Sequence, residues 1–305
     1  MMRQTRPGKA TRRRTAVALA AVGGCVLTVA VAGTATATTG ERHGKPRPDY
    51  VALGDSYTSG PLIPVQVDAN CARSDHNYPS ITARERQVAS FTDVSCGGAT
   101  TAEMWRSQGT NGPQLDAVRR DTDLVTLQIG GNDMGFGSII ATCAALSSKD
   151  LTGNPCQQYY GASGHDQLTL NILRTAPKVA RVLRAVHAKA PHARVVVVGY
   201  PDLLPDDGTG CYPTVPFAAK DFPYLRDTGK RLNAMLRAVA LLNRADYVDT
   251  YGPTVGHDMC KAPADRWIEP LSPTSPAAPA HPNAKGQEAM AKALMKTLDK
   301  DAGHR

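Results

Sequence analysis

The most constraining feature of this sequence is an alternation. Short runs of β-branched and aliphatic residues, each closing on a glycine-bearing turn, are separated by longer stretches with helical spacing. Residues 49–53 run into Gly54, 123–129 into Gly130-Gly131, 193–198 into Gly199-Tyr200, and 245–249 into Thr250-Tyr251-Gly252. Between them, 168–190 place Ile172, Leu173, Val179, Val182, Leu183 and Val186 at helical intervals before Pro191, and 224–242 and 283–298 read as two further helices. Strands alternating with helices imply a parallel sheet covered on both faces, an α/β fold with a three-layer α/β/α sandwich. In such sheets ligands bind beyond the carboxyl ends of the strands, so the glycine-rich turns are where chemistry is expected.

The amino-terminal part reads as an export leader. A basic stretch (Arg3, Arg6, Lys9, Arg12, Arg13, Arg14) precedes an apolar run over 15–33, and Ala35-Thr36-Ala37 supplies an A-x-A cleavage pattern. The expected division is a cleaved signal peptide, 1–37, and one domain, 38–305. A run of this length approaches what a membrane span needs, but its Ala, Gly and Thr content makes a weak anchor, so no stable membrane anchor is expected. Cys25 after Val22-Gly23-Gly24 resembles an acylation site, yet the apolar run continues past it. The three successive arginines leave twin-arginine export open beside the general route.

Leader removal changes the charge argument. The formal net charge of the whole chain is +8, and most of it resides in the leader, so the remainder gives no reason to expect a nucleic-acid partner. Seven cysteines are present. Apart from Cys25 they are Cys71, Cys96, Cys143, Cys156, Cys211 and Cys260, an even set that implies disulfides in an exported chain. Sequence-neighbour pairing, 71–96, 143–156 and 211–260, would staple loops that follow strands. No C-x-x-C or H-x-x-x-H spacing gathers zinc ligands, so no metal is expected. The Pro/Ala/Ser-rich stretch 270–282 is read as an ordered loop inside the domain.

Four motif blocks punctuate the chain. Gly54-Asp55-Ser56-Tyr57-Thr58-Ser59-Gly60 follows the first strand, Gly97-Gly98 follows Cys96, Gly130-Gly131-Asn132-Asp133 follows the second strand, and His281 lies near the end. Seen singly, Ser56 is an ordinary loop serine, Gly97-Gly98 a turn, Asn132 a turn or cap residue, and His281 a surface histidine. The early serine is also not the G-x-S-x-G elbow of α/β-hydrolases. The ordered set resembles the SGNH (GDSL) hydrolase superfamily, and within it the secreted actinomycete lipases and esterases, over nearly the whole chain after the leader.

That resemblance implies an SGNH/flavodoxin-like fold, a secreted, extracellular location, and ester hydrolysis without a cofactor. It also implies roles. Ser56 is the nucleophile, His281 the base, and the oxyanion is held by the N–H groups of Ser56 and Gly98 with the Asn132 side-chain amide. One position departs from the pattern. Many members carry Asp three residues before the histidine, where this chain has Ala278. The expectation is therefore a Ser56–His281 dyad whose imidazole is oriented by a backbone carbonyl near Ala278 or Pro279, with Asp265 and Glu269 as the carboxylates that remain open. Asp55 and Asp133 are read as acceptors for loop N–H groups.

Two apolar segments, 61–65 and 134–136, follow the nucleophile and Asn132 and are read equally as acyl-pocket lining or as core. Medium-to-long fatty acyl esters of the triacylglycerol type lead as substrates, with phospholipids, plant-polymer esters and short-chain esters behind. No lid helix is visible. A secreted binding protein that kept the fold and lost catalysis is the reading of another class. A monomer is expected.

Overall fold

A computed structural model describes residues 47–300; the leader, with Cys25 and the arginine cluster, lies outside the described residues. Five parallel strands form the central sheet: β1 (Asp49–Gly54), β4 (Ser90–Asp93), β5 (Leu124–Gln128), β6 (Arg194–Val198) and β7 (Asp246–Val248), in the order β4-β1-β5-β6-β7. A small antiparallel hairpin, β2 (Gln66–Asp68) with β3 (Arg73–Ser74), follows β1 in the chain. The helices are α1 (Ser56–Ser59), α2 (Tyr78–Glu85), α3 (Phe136–Ser147), α4 (Pro155–Gly161), α5 (Gln167–Lys189), α6 (Asp221–Leu242) and α7 (Ala284–Lys300).

The two-residue period of each strand divides the core between the faces of the sheet. Val51, Leu53, Val125, Leu127, Val195 and Val197 pack against α5 and α6, while Tyr50, Ala52, Leu124, Val196 and Val198 pack against α2 and α7. Helices thus cover both faces, as the sequence implies for strands apolar along their length. In α5 the Asp166 side chain caps the start by accepting from the Leu168 N–H, and Leu168, Ile172, Val179, Val182, Leu183 and Val186 form its buried stripe.

All four strands and three helices expected from the sequence are present, with ends shifted by up to three residues. The elements not anticipated have weak signals. β4 is a short edge strand of mixed exposure, Ser-Phe-Thr-Asp, and α3 has apolar and small residues around most of its circumference, so it lacks the polar face that marks a surface helix. The three disulfides join Cys71 to Cys96, Cys143 to Cys156 and Cys211 to Cys260. They tie β2–β3 to the loop after β4, α3 to α4, and the loop after β6 to the loop after β7.

Because β4 and β5 flank β1 on opposite sides, the chain reverses direction across the sheet between β1 and β5, and a crevice opens at their carboxyl ends. Gly54 ends β1 at this crevice. A Cβ there would lie 2.1 Å from Thr58 Oγ1 and 2.9 Å from the Gln128 carbonyl oxygen, so the turn into α1 closes only on glycine. Replacing Gly54 with Ala should destabilise the protein by about 1–3 kcal/mol through overpacking, seen as a lower urea midpoint at unchanged slope.

Candidate active site

Ser56 is the first residue of α1, and Asp55 is its cap. The Asp55 carboxylate accepts from the Tyr57 N–H at 3.0 Å and from the Tyr200 hydroxyl at 2.5 Å. The same hydroxyl accepts the Gly131 N–H at 2.9 Å. Three strand ends, those of β1, β5 and β6, are thereby locked around one buried carboxylate. Burial pushes the Asp55 carboxyl up to about 7, against the lowering effect of the Tyr200 and Tyr57 hydrogen bonds.

His281 reaches the same point from the other end of the chain. Its Nε2 is 2.7 Å from Ser56 Oγ, and its Nδ1 is 2.7 Å from the Pro279 carbonyl oxygen. A carbonyl can only accept, so Nδ1 carries the proton and Nε2 is left to take one from the serine. The ring is tilted against Tyr57 at a centroid distance of 4.7 Å, and the Tyr57 hydroxyl donates to the Ala280 carbonyl at 2.6 Å. That bond, with the Ala280 N–H donated to the Glu269 carbonyl, holds Ala280 at φ 59°, a left-handed backbone rarely adopted by alanine. Burial lowers the His281 pKa, and the Pro279 carbonyl opposes this by stabilising the protonated ring.

Neither open carboxylate meets the imidazole. Asp265 has an exposed side chain, and its carbonyl engages His257 instead. Glu269 is fully buried and accepts from the Thr274 and Ser275 N–H groups and the Asn283 amide. Burial alone would raise its carboxyl, but these bonds and Arg266 outweigh it and hold the pKa below the usual glutamate value. Glu269 therefore folds the loop that carries His281, and the stretch 270–282 is ordered by it.

Of the three expected oxyanion donors, Ser56 and Asn132 line one cleft, and Gly98 lies in the loop after β4 that Asn132 reaches. The Ser56 N–H begins a helix and has no acceptor in a preceding turn. Gly98, at φ 77°, has an N–H without an acceptor among the described residues. The Asn132 amide donates one hydrogen to the Ala99 carbonyl at 2.9 Å, which ties the Gly98 loop to the turn after β5 and leaves its second hydrogen unassigned. Asp133 pins that loop further by accepting from the Thr101 N–H and hydroxyl. Asp55 and Asp133 are thus loop acceptors, as the sequence suggested.

Ser56, Asn132 and Tyr200 stand in the wall of one cleft. Its apolar side comes from Met134, Phe136 and Ile139 at the head of α3, Leu203 after β6, Leu225 on α6, and Met259 after β7. Of the two segments read equally as pocket lining or core, 134–136 lines the cleft and 61–65 does not. Ile63 is buried in the fold and Leu62 faces outward, because the chain turns away from the crevice after α1. Sequence reading missed the leucines and Met259, which are ordinary core-type residues in sequence and meet only through the fold. It also missed Asp202, a buried wall residue whose carboxylate oxygens have no hydrogen-bond partner. Burial first, and then the nearby Asp258, push that carboxyl up to about 7.

A serine hydroxyl hydrogen-bonded to a neutral imidazole, beside an apolar cleft, can carry out acyl transfer. The GDSL-like Lipase/Acylhydrolase family model matches residues 52–289. Lipase 2 of Streptomyces coelicolor is 42% identical over 302 residues, covering 97% of this chain and 100% of that protein. Two solved structures are similar over 82% of this chain and 99% of theirs: phospholipase A1 from Streptomyces albidoflavus NA297, at TM-score 0.68 and 27% identity, and an extracellular lipase from Streptomyces rimosus, at 0.67 and 28%.

Two outcomes follow from the surroundings of His281. Asp265→Asn should leave kcat and stability unchanged, whereas Glu269→Gln should lower stability by roughly 2–4 kcal/mol by breaking a buried charged network and change kcat less than about tenfold. Thermal unfolding and steady-state kinetics separate the two, and a loss of kcat beyond about a hundredfold in a folded variant would restore a carboxylate to the machinery. With His281 as the expected base, its neutral ring and lowered pKa should keep kcat/KM on its plateau into mildly acidic solution. It should then fall with an apparent pKa below the ordinary histidine value of about 6.5.

Proposed function

This chain belongs to the GDSL-like lipase/acylhydrolase family and is a carboxylic ester hydrolase, and from that premise we propose a secreted lipase acting on medium-to-long fatty acyl esters of the triacylglycerol type. In this reading residues 38–305 form the single catalytic domain left after the leader is removed. The observation that carries it is the 2.7 Å contact of Ser56 Oγ with His281 Nε2 beside an apolar cleft.

The chemistry proceeds by a covalent acyl-serine. Ser56 Oγ attacks the ester carbonyl carbon while its proton passes to His281 Nε2, and the carbonyl oxygen becomes an oxyanion facing the N–H groups of Ser56 and Gly98 and the Asn132 amide. Collapse of the tetrahedral adduct expels the alcohol, which takes the proton from His281. Water then repeats the sequence on the acyl-serine and releases the fatty acid. The Pro279 carbonyl keeps the imidazole in the needed tautomer throughout, the orienting part of the task that a carboxylate performs in a triad.

Support for the chain-length preference is the cleft itself. Its walls are largely apolar and bring Met134, Phe136 and Leu225 into the same cleft as Ser56. Each methylene that enters such a wall contributes about 0.8 kcal/mol, which favours long acyl groups over acetyl. Export is supported by the leader pattern and by the extracellular origin of the S. rimosus relative; no helix of the described residues is long and apolar enough to cross a membrane.

Hydrolysis of p-nitrophenyl esters of graded chain length tests this. The kcat/KM should rise by at least about tenfold from the acetyl ester to medium chains and vanish in Ser56→Ala. A profile that peaks at acetyl would make the protein a short-chain esterase, and no turnover at all would leave a binding protein on this fold.

A further inference from the structure

The segment that leaves α1 does not line the cleft, yet it is built in an unusual way. Leu62, Val65 and Val67 are 60%, 59% and 61% exposed. Leu62 also holds φ 65°, a left-handed backbone that disfavours a leucine. The alternation of β2 explains how the side chains are presented. Gln66 turns inward, its amide donating to the Gly60 and Ile63 carbonyls at 3.1 and 2.7 Å, so Val65 and Val67 on either side of it face outward. Single exposed apolar residues are ordinary, but three within six positions on one rigidly held segment are not.

This segment is joined to the loop of the proposed base. The Ala278 N–H donates to the Pro61 carbonyl at 3.1 Å, and the next residue, Pro279, supplies the carbonyl that holds His281. The two strips share a second property. Across 61–67 and 270–280 there is no Asp, Glu, Lys, Arg or His, in a chain whose residues are 20% charged. The second strip also exposes Pro273, Pro276 and Pro279. A charge on either strip would oppose transfer out of water, and proline-rich loops lose little conformational freedom when they are covered.

We propose that these strips form a preformed lip which seats the protein on a neutral lipid–water interface, with Leu62, Val65 and Val67 entering the apolar layer beside the cleft mouth. The occupant fits because the two strips themselves are apolar and uncharged, with the Asp75 carboxylate that accepts the Val65 N–H standing at the edge of the first, and the lip is continuous with the His281 loop where an acyl ester must arrive. Docking of this kind raises the local substrate concentration without opening a lid, and acts as a shallow apolar insertion of the sort that holds proteins at membrane surfaces. The inference rests on the reading that the substrate is a fatty acyl ester presented in aggregates.

The test compares the full-length secreted protein with the triple variant Leu62→Asp/Val65→Asp/Val67→Asp and with Leu62→Asn, whose side chain suits the left-handed backbone. Cosedimentation with neutral phosphatidylcholine vesicles should weaken by at least about tenfold in the triple variant and measurably in the single one. It should be insensitive to salt in the wild type. Hydrolysis of a water-soluble p-nitrophenyl ester should be unchanged within about twofold, while turnover of emulsified triacylglycerol at limiting interface should fall in step with binding. Equal sedimentation of the wild type and Leu62→Asn, or wild-type binding abolished by salt, would overturn the lip. If the soluble ester is not hydrolysed by the wild type, the functional reading fails, and sedimentation still decides the lip separately.

Discussion

The site depends on one buried carboxylate. Asp55 caps α1 through the Tyr57 N–H and receives the Tyr200 hydroxyl, which itself accepts from Gly131. A carboxylate removed from water is costly unless its oxygens are satisfied, and here the two donors that satisfy it come from α1 and from the end of β6. Misplacing either element would leave the charge unpaired, so the requirement of Asp55 translates into a fixed position for Ser56 relative to β5 and β6. The elevated pKa, about 7, shows that the two hydrogen bonds offset only part of the desolvation.

A second chain of contacts brings the far end of the sequence to that point. Tyr57, next to the serine, donates its hydroxyl to the Ala280 carbonyl and lies against the His281 ring. Gln287 on α7 donates to the Tyr57 carbonyl and accepts from the Tyr78 N–H, which fastens the helix after His281 to α1 and α2. The strained backbone at Ala280 is held by hydrogen bonds on both of its sides. Such strain persists only where the surroundings over-determine it. Here they do, because Glu269 gathers the loop from inside.

Orientation of the imidazole by the Pro279 carbonyl has an electrostatic consequence. A carboxylate would raise the imidazole pKa and stabilise the imidazolium, whereas a neutral carbonyl does less and burial works in the opposite direction. The His281 ring therefore stays neutral across a wider acidic range, with the Pro279 carbonyl dipole on one side and the tilted Tyr57 ring against it.

Much of this was legible from residue order. Strands ending in glycine turns, Ser56 two residues after such a strand and His281 just before a terminal helix are local patterns, and local patterns survive in a linear sequence because backbone geometry and burial period impose them. The cysteines paired as sequence neighbours too, two pairs stapling loops that follow strands and the third, Cys143–Cys156, joining α3 to α4 instead. What only the tertiary structure decided has no local signal. Pro279 orients the His281 ring through a backbone carbonyl, a group every residue possesses. Glu269 is one of five glutamates until its three donors are seen. Leu203, Leu225 and Met259 form a cleft wall only because β6, α6 and the loop after β7 converge there, while 61–65, adjacent to the serine in sequence, is carried outward by the turn after α1. Order along the chain specifies which groups exist and which neighbours they have; convergence of distant segments is settled by packing the sheet and its two helix layers together.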